Sequence, residues 1–244
     1  MKSLAVLSFL ILSSALSAQD AVPAGTILPV QLNSSLKSNR ARPGQIIAAR
    51  VMQDLPLSSG TRIRAGARVS GQVLAVSPAR NGKSATISFR FDTLTVGKRH
   101  IPVVTNLRAL AGMMDVSEAY VPESGPDHGT SEYNWTTDQI GGEVDYHGGG
   151  AIVHDSETVG YSVANGVLVR VTAKPGSKCR TAVAGNDGPQ ALWVFSSDAC
   201  GLYDFPGVTL VHAGRTNPVG QIVLKSDAGD LNIRAGSGML LRVD

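Results

Sequence analysis

The chain has 244 residues, of which 43% are hydrophobic and only 5% aromatic, with 27 glycines, 12 prolines and a formal net charge of +3. Beyond residue 20 no stretch is apolar for long enough to span a bilayer as a helix, which excludes an internal transmembrane helix, and the remaining length suffices for one large β domain or two small ones. The small net charge conceals a division: residues 19–108 carry thirteen Lys or Arg against three acids, residues 109–169 carry ten acids and no Lys or Arg, and the remainder carries eight bases and six acids.

The first residues, MKSLAVLSFLILSSALSAQD, combine Lys2, an apolar run over 4–12, and small residues at Ala15, Ser17 and Ala18. That pattern reads as an export signal, 1–18, cleaved after Ser17 or Ala18, because the apolar run is far shorter than the ~20 residues a membrane helix needs. The expected location of the mature chain is the periplasm, the outer envelope or the extracellular space. No transmembrane segment is expected after cleavage.

Downstream, short β-type segments alternate with glycine, proline and asparagine, and the fold class read from this is all-β, a barrel or sandwich with glycine-rich corners and little helix. One pattern recurs in VPAGTILPVQL, IRAGARVSGQV, VANGVLVRVTA and IRAGSGMLLRV: an aliphatic residue, a glycine three later, and an alternating apolar run. The expected role of Gly25, Gly66 and Gly236, each preceded by alanine, is a strand–turn–strand corner in which glycine takes a backbone conformation that other residues resist. Between these, RNGKSATISFRFDTLTV predicts a hairpin: Asn81-Gly82 supplies two positive φ angles, and Ala85, Ile87, Phe89 and Phe91 then alternate with polar residues. The alternation slips at Thr93, which predicts a bulge there.

Residues 105–120, TNLRALAGMMDVSEAY, are the one segment read as helical, with Gly112 weakening it. Residues 121–134 read as a loop, and WTTDQIGGEVDYHGGGAIVHD as short strands broken at Gly141-Gly142 and 148–150. The division expected is therefore a basic β domain at 19–105, a linker and acidic insert at 106–135, and a second β region at 136–244 whose last strands complete the first barrel. Cys179 and Cys200 are the only cysteines, and in an oxidising compartment an isolated pair reads as a disulfide.

PAGTILPVQLNSSLKS, Gly44, AARVMQDLPL, IRAGARVSGQV and RFDTLTVGKRHIPV follow one another in an order that resembles the periplasmic β-barrel domain of the TrbI-like scaffold of conjugation and type IV secretion channels. The similarity covers 22–104 and, more weakly, the closing IRAGSGMLLRVD within 232–244. It implies a freestanding barrel module of the cell envelope. In place of that family's cytoplasmic tail, membrane helix and proline-rich stalk this chain has a cleavable signal, and its acidic insert has no lipophilic face to enter a membrane, so a secretion channel is not implied.

No nucleophile elbow, phosphate loop, H-E-x-x-H or paired C-x-x-C is present. No catalytic residue and no cofactor are therefore assigned. The one metal-type constellation is DYHGGGAIVHD, in which Asp145, His147, His154 and Asp155 are imidazole and carboxylate donors suited to a divalent ion, with His128 a further donor if its loop folds back. The rival reading built on it is a metal-dependent hydrolase using Asp145, His147 and His154. Tyr133, Trp135 and Tyr146 sit in or beside the acidic insert and are the candidate contacts to a sugar or protein partner, whereas Trp193, in ALWVFSS, reads as a core residue. The expected function is a non-catalytic envelope or surface scaffold or binding protein, with an envelope protein or polysaccharide as partner. Salt-sensitive self-association between the acidic insert and the basic half is also expected, and no nucleic-acid partner is, since no aromatic platform accompanies the arginines.

Overall fold

The computed structural model describes residues 21–57, 62–121, 136–146, 150–154, 156–171 and 188–244. The segment read as a signal, and with it Cys179, His128, Tyr133, Trp135, His147 and Asp155, lies outside the described residues. Numbering the strands of the two larger sheets in chain order, the elements are β1 Ile27–Leu32, β2 Ile46–Val51, β3 Arg68–Ser77, β4 Ala85–Val96, β5 Arg99–Pro102, β6 Thr105–Ala111, α1 Met113–Glu118, β7 Ala151–His154, β8 Glu157–Val163, β9 Gly166–Val169, β10 Gln190–Ala191, β11 Gly201–Tyr203, β12 Val208–Ala213, β13 Ile222–Ser226 and β14 Gly238–Val243. No helix among them is long and apolar enough to cross a membrane.

The fold is all-β. Ten strands form one sheet in the order β11-β6-β14-β1-β2-β3-β4-β13-β12, with β5 paired to the end of β4. The sheet curls until it nearly meets itself, where β12 runs into Gly214, whose Cα region lies against the backbone of Asn106 on β6. Every pairing is antiparallel except β11 with β6. The main sheet draws on 19–105, on β6 at the start of the stretch read as linker and acidic insert, and on 136–244, and β14 pairs with β1 in the register Leu28↔Leu241 and Val30↔Met239.

Period-two alternation decides which side chains fill the barrel. Leu28, Val30 and Leu32 of β1, Ile47, Ala49 and Val51 of β2, Ile87, Phe89 and Phe91 of β4, and Met239, Leu241 and Val243 of β14 all point into one buried cluster. Phe89 and Phe91, two residues apart on one face, meet edge to face with centroids 6.0 Å apart. Each Val, Leu, Ile, Met or Phe among them contributes roughly 1.5–3 kcal/mol by leaving water, and together they make the barrel interior a packed core.

The corners follow from backbone geometry. Gly25, Gly66 and Gly236 have φ of 87°, 88° and 89°. In each the residue after the glycine donates its N–H to the carbonyl three residues back, Thr26 to Pro23, Ala67 to Arg64 and Ser237 to Arg234, at 3.1–3.2 Å. This is the turn that demands a positive φ at its third position, where glycine carries no Cβ penalty. The glycine N–H then donates to a neighbouring strand end: Gly25 to Val243, Gly66 to Val51, Gly236 to Leu32. Gly44, after Pro43, repeats the arrangement with Val73. The VANGV copy is different, a two-residue hairpin turn of Ala164 and Asn165 between β8 and β9, with Asn165 and the first β9 residue Gly166 at positive φ.

The Asn81-Gly82 hairpin forms between β3 and β4 with φ of 50° and 74°, and the slip in β4 is a bulge, since Ser70 pairs with Thr93 but Gly71 with Phe91, leaving Asp92 as the extra residue. The helix expected at 105–120 is confined to Met113–Glu118. Residues 105–111 are instead strand β6, buried on every side chain. A strand covered on both faces shows no alternation, so its sequence looks like a helix with an apolar run.

Both faces of β6 are covered because the chain between β6 and β11 folds back as an outer layer. It holds α1, a two-stranded ribbon of Thr136–Asp138 with Val144–Tyr146, and a four-stranded sheet in the order β7-β8-β9-β10. Its own core, including Ile152, Val167, Trp193 and Phe195, packs on the outward side chains of the barrel, Ile27, Ala109, Ala111 and Leu240. Gly238 makes this possible: a Cβ there would come within 3.0 Å of Val116 and Trp193 and 3.3 Å of Phe195.

Candidate functional site

The polar side chains that converge in the outer layer come from three separated pieces of sequence. The ribbon contributes Glu143, just after its turn through Gly141 and Gly142, both at positive φ. The last residue of β7 contributes His154. The segment leading to β11 contributes Ser196, Ser197 and Asp198. Local pairing brings these together, because Ile140 donates its N–H to the Val194 carbonyl (2.8 Å), Ser196 donates to the Ile140 carbonyl (3.0 Å), and the Gln139 side-chain amide donates to the Phe195 carbonyl (2.9 Å).

Glu143, 5% exposed, is the hub. One carboxylate oxygen lies 2.7 Å from His154 Nδ1 and accepts the Ser197 hydroxyl, while the other accepts the Ser197 N–H at 2.9 Å. Asp198 accepts the Ser196 hydroxyl at 3.0 Å. From the barrel side Arg108 reaches the Ser197 carbonyl at 3.0 Å. Arg108 is the extra residue of a bulge in β6, since Leu240 pairs with Ala109 and Leu241 with Leu107. Burial first, and then the neighbouring Arg215, pull its guanidinium down to about 10, with Asp198 opposing the shift. The cluster thereby ties the outer layer to the barrel with charge-assisted hydrogen bonds.

Donor atoms of Glu143, His154 and Asp198 all lie within 4.8 Å of one another. One imidazole and two carboxylates suit zinc or a harder divalent ion, whose ligands at ~2.0–2.1 Å from the metal would stand apart by more than a hydrogen bond. Metal binding would therefore exchange the 2.7 Å contact between Glu143 and His154 for two coordination bonds.

Of the residues singled out from sequence, His154 belongs to this cluster and Asp145 does not. Asp145 is paired with Thr137 in the ribbon, is 8% exposed, and lines a separate cavity of about 260 Å3. His147 and Asp155, like Tyr133 and Trp135, lie outside the described residues, and Tyr146 is placed as the last residue of the ribbon. Cys200 donates its N–H to the Tyr203 hydroxyl at 3.0 Å. Glu143 and Asp198 were missed as partners of His154. The only sequence signal was Glu143 sharing the alternation of Asp145, and nothing local links Asp198 to a histidine forty-four positions earlier.

No known protein-family model matches the chain, and no curated protein is significantly similar to it.

Proposed function

We propose that the mature chain is an exported, non-catalytic scaffold or binding protein of the cell envelope, a barrel module of the kind that the TrbI-like secretion scaffolds carry. The observation that carries this reading is the division of labour between the two layers. The barrel interior is filled by its own aliphatic and aromatic side chains, so contact with a partner falls to the outside, where the added sheet exposes Val153, Tyr161 and Val163. The three Ala-Gly corners support the family resemblance because they occupy the turns on which the similarity rests. Fractionation of expressing cells with intact-mass measurement tests it: the chain is expected in the envelope or periplasmic fraction lacking residues 1–17 or 1–18, and a full-length cytosolic chain would refute it.

Within this reading Cys179 and Cys200 form the disulfide, worth roughly 3 kcal/mol for a loop of this length. Alkylation of the unreduced, denatured chain should then add no mass. The charge division gives the partner proposal a shape. Asp115, Glu118 and Asp138 line a groove of about 460 Å3 beside α1, whereas Arg64, Arg68, Lys98 and Arg99 stand exposed at one end of the barrel. A second copy can join these two faces.

One observation favours a second reading, a metal-dependent hydrolase: the grouping of Glu143, His154 and Asp198. Calorimetric titration of the mature protein with zinc and with calcium separates the two. A heat of binding that His154→Ala abolishes would support the hydrolase, and no heat above the buffer control would leave the scaffold reading standing.

A further inference from the structure

The cavity that Asp145 lines is distinct from the Glu143 cluster. Its polar lining includes two unmet acceptors. Asp145, 8% exposed, has a carboxylate oxygen, and Gln139, 4% exposed, an amide oxygen, that are buried without a hydrogen-bond partner. The Gln139 orientation is set by its amide nitrogen, which donates to Phe195, so the oxygen is the end turned away from that bond. None of the described lining side chains is Lys, Arg or His. Leaving a carboxylate out of water with no cation costs several kcal/mol. A water molecule would answer the hydrogen bond but not the charge.

Tyr120 and Trp193 also line the cavity and are held in place. Tyr120 and Trp193 lie with ring centroids 6.0 Å apart, and the indole N–H donates to the Tyr120 hydroxyl. Trp193 has a φ of 57°, a region that a bulky residue occupies only under constraint. The constraint is Gln53, wholly buried, which accepts the Trp193 N–H at 2.7 Å and donates to the Val167 carbonyl at 2.8 Å. Gly166 leaves room for it, since a Cβ there would stand 2.4 Å from the Gln53 oxygen and 2.6 Å from the Trp193 Cα. The constraint therefore fixes Trp193 at a cavity whose described lining carries a carboxylate and no positive charge.

We propose that this cavity binds a primary alkylammonium group, the chemistry of a small aliphatic amine or of a lysine side chain. The ammonium supplies donors to Asp145 and Gln139 and a positive charge to the carboxylate, and its alkyl chain meets the apolar part of the lining. The volume of about 260 Å3 admits a slender chain and little more. The site does not depend on where the protein resides, so its failure and that of the export reading are read separately.

The probe is n-butylammonium chloride, with n-butanol and N-acetylglucosamine as neutral comparisons and a blocked Gly-Lys-Gly peptide as the polypeptide source. Binding is followed by calorimetry on the full mature chain, and by indole fluorescence in a Trp135→Phe background so that Trp193 reports. Butylammonium should bind about tenfold or more tightly than butanol, and Asp145→Asn should remove that margin while leaving the circular dichroism spectrum unchanged. Binding of the peptide as well would point to a protein-borne lysine, and its absence to a free amine; both support the site. Equal binding of butanol, tighter binding of the sugar, no butylammonium binding at tens of millimolar, or full binding in folded Asp145→Asn would overturn it. If Asp145→Asn does not fold, the comparison of butylammonium with butanol on the unaltered site decides alone.

Discussion

At Gly66 the backbone φ is 88° and nothing lies within 4 Å of where a Cβ would stand, so alanine there meets backbone strain alone and should cost ~1–2 kcal/mol. At Gly71 the Cβ would stand 1.8 Å from the Arg90 carbonyl oxygen, a clash the paired strand cannot relieve without breaking register. Urea denaturation of Gly66→Ala and Gly71→Ala should therefore show the second to be clearly the less stable, and equal midpoints would contradict the placement of both. Asp115 gives a residue-scale pH test. Burial first, then Asp204 and Glu118, raise its carboxyl above the usual range, so the charged form is disfavoured in the folded state. That penalty is full above the folded pKa, shrinks as pH falls from there toward the unfolded pKa, and is gone below it. Asp115→Asn should accordingly raise the melting temperature at pH 7, and the gain should vanish near pH 3. The corner glycines were legible in the sequence because a turn is decided by four adjacent residues. The positive φ of Trp193 was not, because Gln53, one hundred and forty positions away, imposes it.

Among the elements, β4 and β6 show what sequence periodicity reaches and where it stops. Strand β4 has one face in the core, so its alternation and even its bulge at Asp92 could be read directly. Strand β6 has both faces covered, by Leu107 and Leu110 toward the barrel and Ala109 and Ala111 toward the outer layer, and the alternation that would mark it is erased. Phe89→Ala removes a fully buried ring and should cost ~3–5 kcal/mol, read as a lower chemical-denaturation midpoint of the whole molecule. Gly238→Val acts on the docking of the layers instead. Its side chain would push against Val116 and Trp193, so hydrogen exchange should quicken in β7 to β9 and α1 while β2 to β4 keep their protection. Uniform loosening of both layers would show that they are a single cooperative unit. The candidate site was half legible for the same reason: His154 drew attention as an imidazole near carboxylates, but its partners come from elements that only the tertiary fold brings together.

At the scale of the whole molecule, the sequence division into basic, acidic and neutral thirds becomes a charge arrangement on two packed layers. If the acidic groove beside α1 meets the basic end of another copy, association must weaken as the Debye length shrinks from ~30 Å at 0.01 M salt to ~3 Å at 1 M. Sedimentation across that range should show the mean mass falling toward that of the monomer, and an unchanged mass would remove self-association from the proposal. The kinship with secretion scaffolds that we propose rests on turn chemistry, which specifies a way of closing a sheet and no partner; the outer layer, lying outside the main span of that proposal, is where a partner is to be sought. The most direct test is a photocrosslinking residue placed at Tyr161, on the exposed face of the outer sheet, in cells, with Arg80 on the barrel hairpin as the comparison position. Adducts from position 161 that join the signal-free chain to an envelope protein or polysaccharide, and that are absent from position 80, are predicted; adducts confined to the full-length cytosolic chain, or the same adducts from both positions, would contradict an exported module that works through its outer layer.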